Sequence, residues 1–379
     1  MLSLTYALAV VASTGQVYRA NVGLFGPEGT LLFRKPTVRL DIASTDGLPC
    51  TASEMLLNGK KVNAKYEPTE ASLVHEVDAP LNPGEYTVEC KVTFGNRARF
   101  AKRWSMRVDS NAVSEMPAPN TEQADGIRLL NEFRRSHGLP AYRTNASLSF
   151  VAQRHAQYLK QNNTIGHVQV DGSPGFFGRS VRDRLALYGY LNAVTECATG
   201  TEETVQEALV NLTQAPYHRI PFLTPLAQNV GFGRSGDRTV LIVDVSTANA
   251  TTLSPSNGQR DVPVEWINNE SPNPLRFYAA EIQREKTTYL GHPIVIAHYT
   301  TNRLPFVAAT MALRTGQQQV PGYLNTPLTD NLLKSEAIFV PKAPLKPNTL
   351  YQAEFDGKLS DGTLVSQRWS FTTGNGPSN

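Results

Sequence analysis

Apolar and polar residues follow two different periods along the chain. Around residues 84–106 the period is two. Tyr86, Val88 and Cys90 alternate with polar neighbours, and the basic residues Arg97, Arg99, Lys102 and Arg103 are interleaved with apolar ones. Alternation places one set of side chains on one face of a strand. The basic set therefore reads as the solvated face of a strand. Gly95-Asn96 and Asp361-Gly362 supply turn chemistry. Short strands separated by such turns predict small β-sandwiches.

After residue 125 the period becomes 3.6. Ile127, Leu130 and Phe133 share one face of a predicted helix that ends near Gly138-Leu139-Pro140. Leu148, Val151, Ala152, His155, Tyr158 and Leu159 form a second apolar stripe. Val181, Leu185 and Tyr188 form a third, closed by Gly189. Val205, Leu209 and Leu212 are the inner face of a fourth helix, with Thr201 as its predicted cap and Glu202 and Glu203 in its first turn. Pro216 ends it. Residues 229–246, NVGFGRSGDRTVLIVDVS, then read as a β-hairpin turning at Ser235-Gly236-Asp237. Its Gly231-Phe-Gly233-Arg-Ser-Gly236 matches GxGxxG, but a dinucleotide fingerprint runs from strand into helix and this one runs into a strand.

The two ends share a repeat. Residues 80–106 and 344–371 both open with Pro-Leu-x-Pro, reach a Tyr and close with Arg-Trp-Ser-apolar, and Tyr86–Trp104 and Tyr351–Trp369 have the same spacing. MLLNGKKV (55–62) likewise matches LRTGQQQV (313–320). Each reads as a hairpin whose returning strand buries a Trp.

Composition narrows the class. The 379 residues, with 40% hydrophobic and 18% charged, suit several folded domains. A net charge of +3 gives no footprint for nucleic acid or an anionic membrane. Residues 2–12 are an apolar run that fits either a signal-peptide core or a buried first strand, and no apolar run is long enough for a membrane span. The expected layout is a possible signal segment or first strand at 1–20, an Ig-like β domain at 30–110, a polar linker at 111–124, an α/β domain at 125–248 and a second Ig-like β domain at 254–375. The three cysteines, Cys50, Cys90 and Cys197, match no zinc-ribbon or CxxC spacing. In an oxidising compartment Cys50 and Cys90 could pair.

The middle segment resembles the CAP superfamily (cysteine-rich secretory, antigen 5 and pathogenesis-related proteins) in its short bacterial form. The resemblance lies in the succession of LLNEFRRSHGLPAYRTNASLSFVAQRHAQYLKQNNTIGHVQVDGS (129–173), RLALYGYLNAVTECATG (184–200), EETVQEALVNLTQAPYHRIPFL (202–223) and VGFGRSGDRTVLIVDV. NGQRDVPVEWINNESPNPL (257–275), GHPIVI (291–296) and the Trp369 strand resemble the tail module that follows bacterial CAP domains. The resemblance implies a multi-domain protein with a central three-layer α-β-α sandwich between two all-β Ig-like sandwiches.

It also implies a cleft of two His and two acids. His167 matches the first His, Glu196 the first acid and His218 the second His, while the second acid is replaced by Ala215. Cys197 stands where the family has Asn, and Thr195 where it has Gly. His155, on an apolar stripe, reads as a core residue or the cleft floor. The expectation is that His167 and His218, both in loops, face each other with Glu196 in reach. Three chemistries follow. The site could bind a lipid, a small hydrophobic ligand or an envelope component. His167 and His218, with Glu196 as third ligand, could hold Zn²⁺ with an open position for water. Glu196 and His218 could then act catalytically as a metal-assisted hydrolase. A third option is a structural surface protein with a vestigial cleft. Cys197 reads as a buried thiol rather than a nucleophile. The resemblance places the protein outside a bacterial cell or in its envelope.

Overall fold

The computed structural model describes residues 6–11, 17–95, 98–245, 249–267, 289–300 and 303–376. Asn96, Arg97 and residues 268–275, which the sequence reading used, lie outside them. By contact the chain forms two compact units, residues 1–118 with 168–192, and residues 119–167 with 193–379.

The first unit is a β-sandwich. Its strands are β1 (Tyr6–Val11), β2 (Val17–Gly26), β3 (Gly29–Phe33), β4 (Thr37–Ser44), β5 (Cys50–Leu57), β6 (Lys60–Lys61), β7 (Lys65–Glu67), β8 (Ser72–Glu76), β9 (Gly84–Phe94) and β10 (Ala98–Val113). They form two five-stranded sheets, β1-β2-β4-β8-β7 and β3-β10-β9-β5-β6. Leu40, Ile42 and Leu73 of one sheet meet Met55, Val88, Val92 and Trp104 of the other in a buried core. Alternation on β9 and β10 is as expected: Arg99 and Arg103 are exposed, and Phe100 and Trp104 are buried. The run at the start of the chain contributes β1, paired antiparallel with β2.

The pairing of Cys50 with Cys90 is overturned. Cys50 lies opposite Phe94 and Cys90 opposite Met55, so the two are about 13 Å apart along the ladder at ~3.3 Å per residue. A disulfide needs α-carbons within about 7 Å. All three cysteines are free thiols.

β10 continues to Val113, and α1 (Thr121–Ser136) is capped by Asn120, whose side chain bonds the Gln123 amide while the Gln123 side chain bonds back. The second unit continues with β11 (Arg143–Thr144) and α2 (Ala146–Gln161). The chain then enters the first unit as α3 (Val181–Ala186), where the Leu32 amide bonds Leu187 O at 2.6 Å. It returns as β12 (Val194–Gly200), α4 (Val205–Gln214), α5 (Pro216–Phe222), β13 (Asn229–Ser235) and β14 (Arg238–Asp244). The sheet order is β11-β13-β14-β12.

Residues of β13 explain the layers. Val230 and Phe232 point to one face, where Ile127 and Leu130 of α1 and Leu209 and Leu212 of α4 bury them. Gly231 and Gly233 point to the other, against α2. A Cβ on Gly231 would fall 2.1 Å from the Leu148 carbonyl carbon, and one on Gly233 2.1 Å from Gln153 N. The glycines of the GxG sequence thus let a helix backbone lie directly on the strand. The result is the expected α-β-α sandwich. Thr201 does not cap α4. It adopts φ +133, and the cap is Thr204, reciprocated by Glu207.

The C-terminal part is a second sandwich: β15 (Ala250–Ser254), β16 (Glu265–Ile267), β17 (Tyr289–Gly291), β18 (Ile294–Tyr299), β19 (Phe306–Thr315), β20 (Gln318–Gln319), β21 (Gly322–Asn325), β22 (Glu336–Pro341), β23 (Leu350–Leu359) and β24 (Leu364–Thr372). Its main sheets are β15-β18-β22-β21 and β20-β19-β23-β24. The sequence repeat is exact in register. Trp104 lies opposite Val88, two residues beyond Tyr86, and Trp369 opposite Ala353, two beyond Tyr351. The Trp104 indole N–H donates to Pro27 O at 2.9 Å and that of Trp369 to Pro255 O at 3.0 Å.

Candidate functional site

Strand alternation on β12 decides which side each residue serves. Glu196 lies opposite Ile242, which lies opposite Gly231, so Glu196 is on the α2 face of the sheet. Its neighbour Cys197 points the other way, into the apolar cluster with Leu130, Leu212 and Phe232. There it is 1% exposed, and burial pushes its thiol well above the ordinary range, so it is neither charged nor presented to a substrate.

On the α2 face Glu196 meets two imidazoles. Its side chain is 2% exposed, and Oε1 stands 3.1 Å from Nδ1 of His167, whose own side chain is half exposed. Oε1 is also 3.5 Å from Nε2 of His155, which is fully buried. The same His155 Nε2 is 3.0 Å from the carbonyl oxygen of Gly166, the residue before His167. His155 therefore belongs to the site and not only to the core. Its signal in the sequence is a ring with two polar nitrogens inside an apolar helical stripe, since a buried polar group needs partners.

His218 is not in a loop. It lies in the short helix α5, started by Pro216 at its first turn. Burial, reinforced by the charge of His167, lowers its pKa to about 4. Its ring makes no hydrogen bond among the described residues. The neighbours of His218 face elsewhere. Tyr217 bonds Asp330, and the buried Arg219 donates to Thr213 O, Gln214 O and, at 2.6 Å, to Pro293 O. α5 is thus pinned to the C-terminal sandwich on both sides of His218.

Among the described residues no group of three His, Cys, Asp or Glu side chains is arranged to hold a metal ion. The Glu196 oxygen nearest His167 already faces two imidazole nitrogens, and the position of the second acid, Ala215, is the residue joining α4 to α5. The residues present do not fit a three-ligand zinc centre. What the arrangement can do is hold one half-exposed imidazole in a fixed orientation against a buried carboxylate.

Residues 127–243 match the family described as the cysteine-rich secretory protein family, CAP. No curated protein sequence matches the chain. Among solved structures, an extracellular protein containing an SCP domain from Bacillus anthracis overlaps 63% of this chain and 85% of its own, at 13% identity and a TM-score of 0.30. A cysteine-rich secretory protein from Staphylococcus aureus overlaps 64% and 86%, at 10% identity and a TM-score of 0.26. A copper resistance protein from Escherichia coli overlaps 32% and 94%, at 13% identity and a TM-score of 0.20. These overlaps are loose, and the family match carries the assignment.

Proposed function

Residues 127–243 are a CAP domain, and from that premise we propose that this chain works outside a bacterial cell or in its envelope by binding a small, largely apolar ligand or envelope component at His167 and Glu196. The observation that supports this reading is the buried Glu196 carboxylate set 3.1 Å from a half-exposed His167. A carboxylate in that position costs free energy unless paired, and here it orients a ring that is half exposed. Ile165, two residues before His167, is exposed, which suits an apolar partner. No helix of the described residues is long and apolar enough to cross a membrane.

Hydrolysis is the weaker reading. The His167–Glu196 pair has the geometry of an oriented general base, but Cys197 is turned into the core, and the second acid is missing. The β-sandwiches serve as spacers or anchors.

The test is direct. The purified full chain is titrated with a fluorescent long-chain fatty alcohol, and the same protein is assayed for ester and peptide cleavage. Saturable binding, weakened about tenfold or more by Glu196→Gln, which is ~1.4 kcal/mol, is expected without turnover. Turnover abolished by His167→Ala would replace binding with the hydrolytic reading.

A further inference from the structure

We propose that the seam between the CAP helices and the C-terminal sandwich, inside the second unit, is an acid-sensitive latch: α1 and α5 stay seated on the sandwich only while His292 and His137 are both neutral. The device needs no ligand and does not involve the His167–Glu196 pair.

The partners fix the state of each ring. A guanidinium only donates, and the buried Arg219 of α5 donates to His292 Nε2 at 3.1 Å and to the carbonyl oxygen of the next residue, Pro293, at 2.6 Å. His292 therefore offers a lone pair at Nε2 and carries its hydrogen on Nδ1. His137 closes the C-terminal end of α1. Its Nδ1 is 2.8 Å from Phe133 O, which only accepts, and its Nε2 is 3.0 Å from the hydroxyl of Ser254, the last residue of β15. Each helix is thus held to the sandwich through the Nε2 of one buried imidazole. Protonating His292 would set an N–H against the N–H of Arg219 and a second cation beside the first. The charged and titratable groups acting on His292 are Arg219 and His137, and those acting on His137 are Arg219 and Arg134. None of these is a carboxylate, so none offsets a new positive charge. Burial holds both rings below the ordinary His range, His137 at about 4.

A second observation marks the same seam as poised to open. His292 Nδ1 is buried and makes no hydrogen bond among the described residues. An unpaired buried N–H is destabilising, and solvent relieves it once the seam parts. Apolar packing keeps the seam shut at neutral pH, where Phe133, Leu139 and Ile220 lie on Trp266, Leu290 and Val295. The sign follows from these two states. A ring released to solvent titrates near 6.5, whereas a seated ring resists the proton until far lower. The contribution of each ring to closure is therefore present above about pH 6.5 and is lost as the pH falls below it. Between about pH 6 and about pH 5 each ring favours opening by roughly sevenfold to eightfold, and the two together by about fiftyfold. Acid thereby loosens α5, the helix that carries His218.

The experiment is amide hydrogen exchange on the full chain, read by mass spectrometry at about pH 7, 6 and 5 and corrected for the intrinsic pH dependence of exchange. Peptides from α5 report the latch, and peptides from β23 and β24 report the sandwich core. Between about pH 6 and about pH 5 the opening of α5 should grow about fiftyfold or more, and that of β23 and β24 by clearly less. In His292→Gln, whose side-chain oxygen accepts from Arg219 and does not titrate, the growth at α5 should shrink by about sevenfold. His218 is present in both proteins, so the ratio between them isolates His292. Growth at α5 below about tenfold in the wild type would overturn the latch, since it allows no more than one ring. So would α5 and the β23–β24 core opening in step, which is global unfolding, or a His292→Gln protein that keeps the wild-type growth. If His292→Gln does not fold, His137→Gln removes the other ring and is read in the same way.

Discussion

Single residues set the pH and redox behaviour of the chain. His137 and His218 both have pKa values lowered to about 4, chiefly by burial. An unfolded His titrates near 6.5. The unfolded chain therefore binds protons first as the pH falls, so the stability these groups contribute is present above about pH 6.5 and is lost between there and about pH 4. Urea denaturation should show a lower midpoint at pH 5 than at pH 7, and His137→Gln should flatten part of that slope. An unchanged midpoint would show that the two rings are not buried neutral. The cysteines give a second prediction. Cys50 is partly exposed, Cys90 is buried with its thiol pushed up to about 12, and Cys197 is buried. Brief alkylation of the native protein should label Cys50 well ahead of the other two, read by mass spectrometry. Equal labelling would place Cys197 on an accessible surface.

Elements show what the sequence could and could not convey. The alternation of Val230, Gly231, Phe232 and Gly233 carried its meaning openly, because glycine on one face of a strand and bulk on the other leaves only one side for a helix to approach closely. Gly233→Ala should therefore force α2 off the sheet. Overpacking of this kind costs on the order of 1–3 kcal/mol or more, and the expected result is a clear drop in thermal midpoint with loss of the His167–Glu196 contact. The Trp repeat was equally legible, since equal Tyr–Trp spacing demands equal register. Trp369→Phe keeps an aromatic in the core but leaves Pro255 O without its donor, and should cost about 1–3 kcal/mol. What the sequence hid was set by distant chain. Thr201 looked like a cap because it precedes two acids, yet the capping geometry three residues later prevailed through Glu207. Cys50 and Cys90 looked pairable until the β5–β9 register was known. His218 looked like a loop residue because the chain beside it holds a proline, and that proline in fact begins a helix. Glu196 and His167 were legible as types, but only the strand direction of β12 tells that Glu196 faces α2 and Cys197 does not.

For the whole molecule, the division into units does not follow the order of residues. The piece 168–192 packs with the N-terminal sandwich, with the Leu32 amide bonded to Leu187 O and Gly189 closely covered by Pro36. A chain beginning at residue 119 would lack those partners. Its thermal midpoint should fall below that of the same unit in the full chain, and protease should cut it between residues 168 and 192, where the full chain is protected. Equal midpoints would mean that the piece holds its shape alone.

The backbone passes between the two units at residues 118–119, 167–168 and 192–193. Two of those three crossings adjoin the site: one follows His167 directly, and the other lies a few residues before Glu196. His167 and Glu196 are thus the near ends of one looped segment whose middle, residues 168–192, is counted with the other unit.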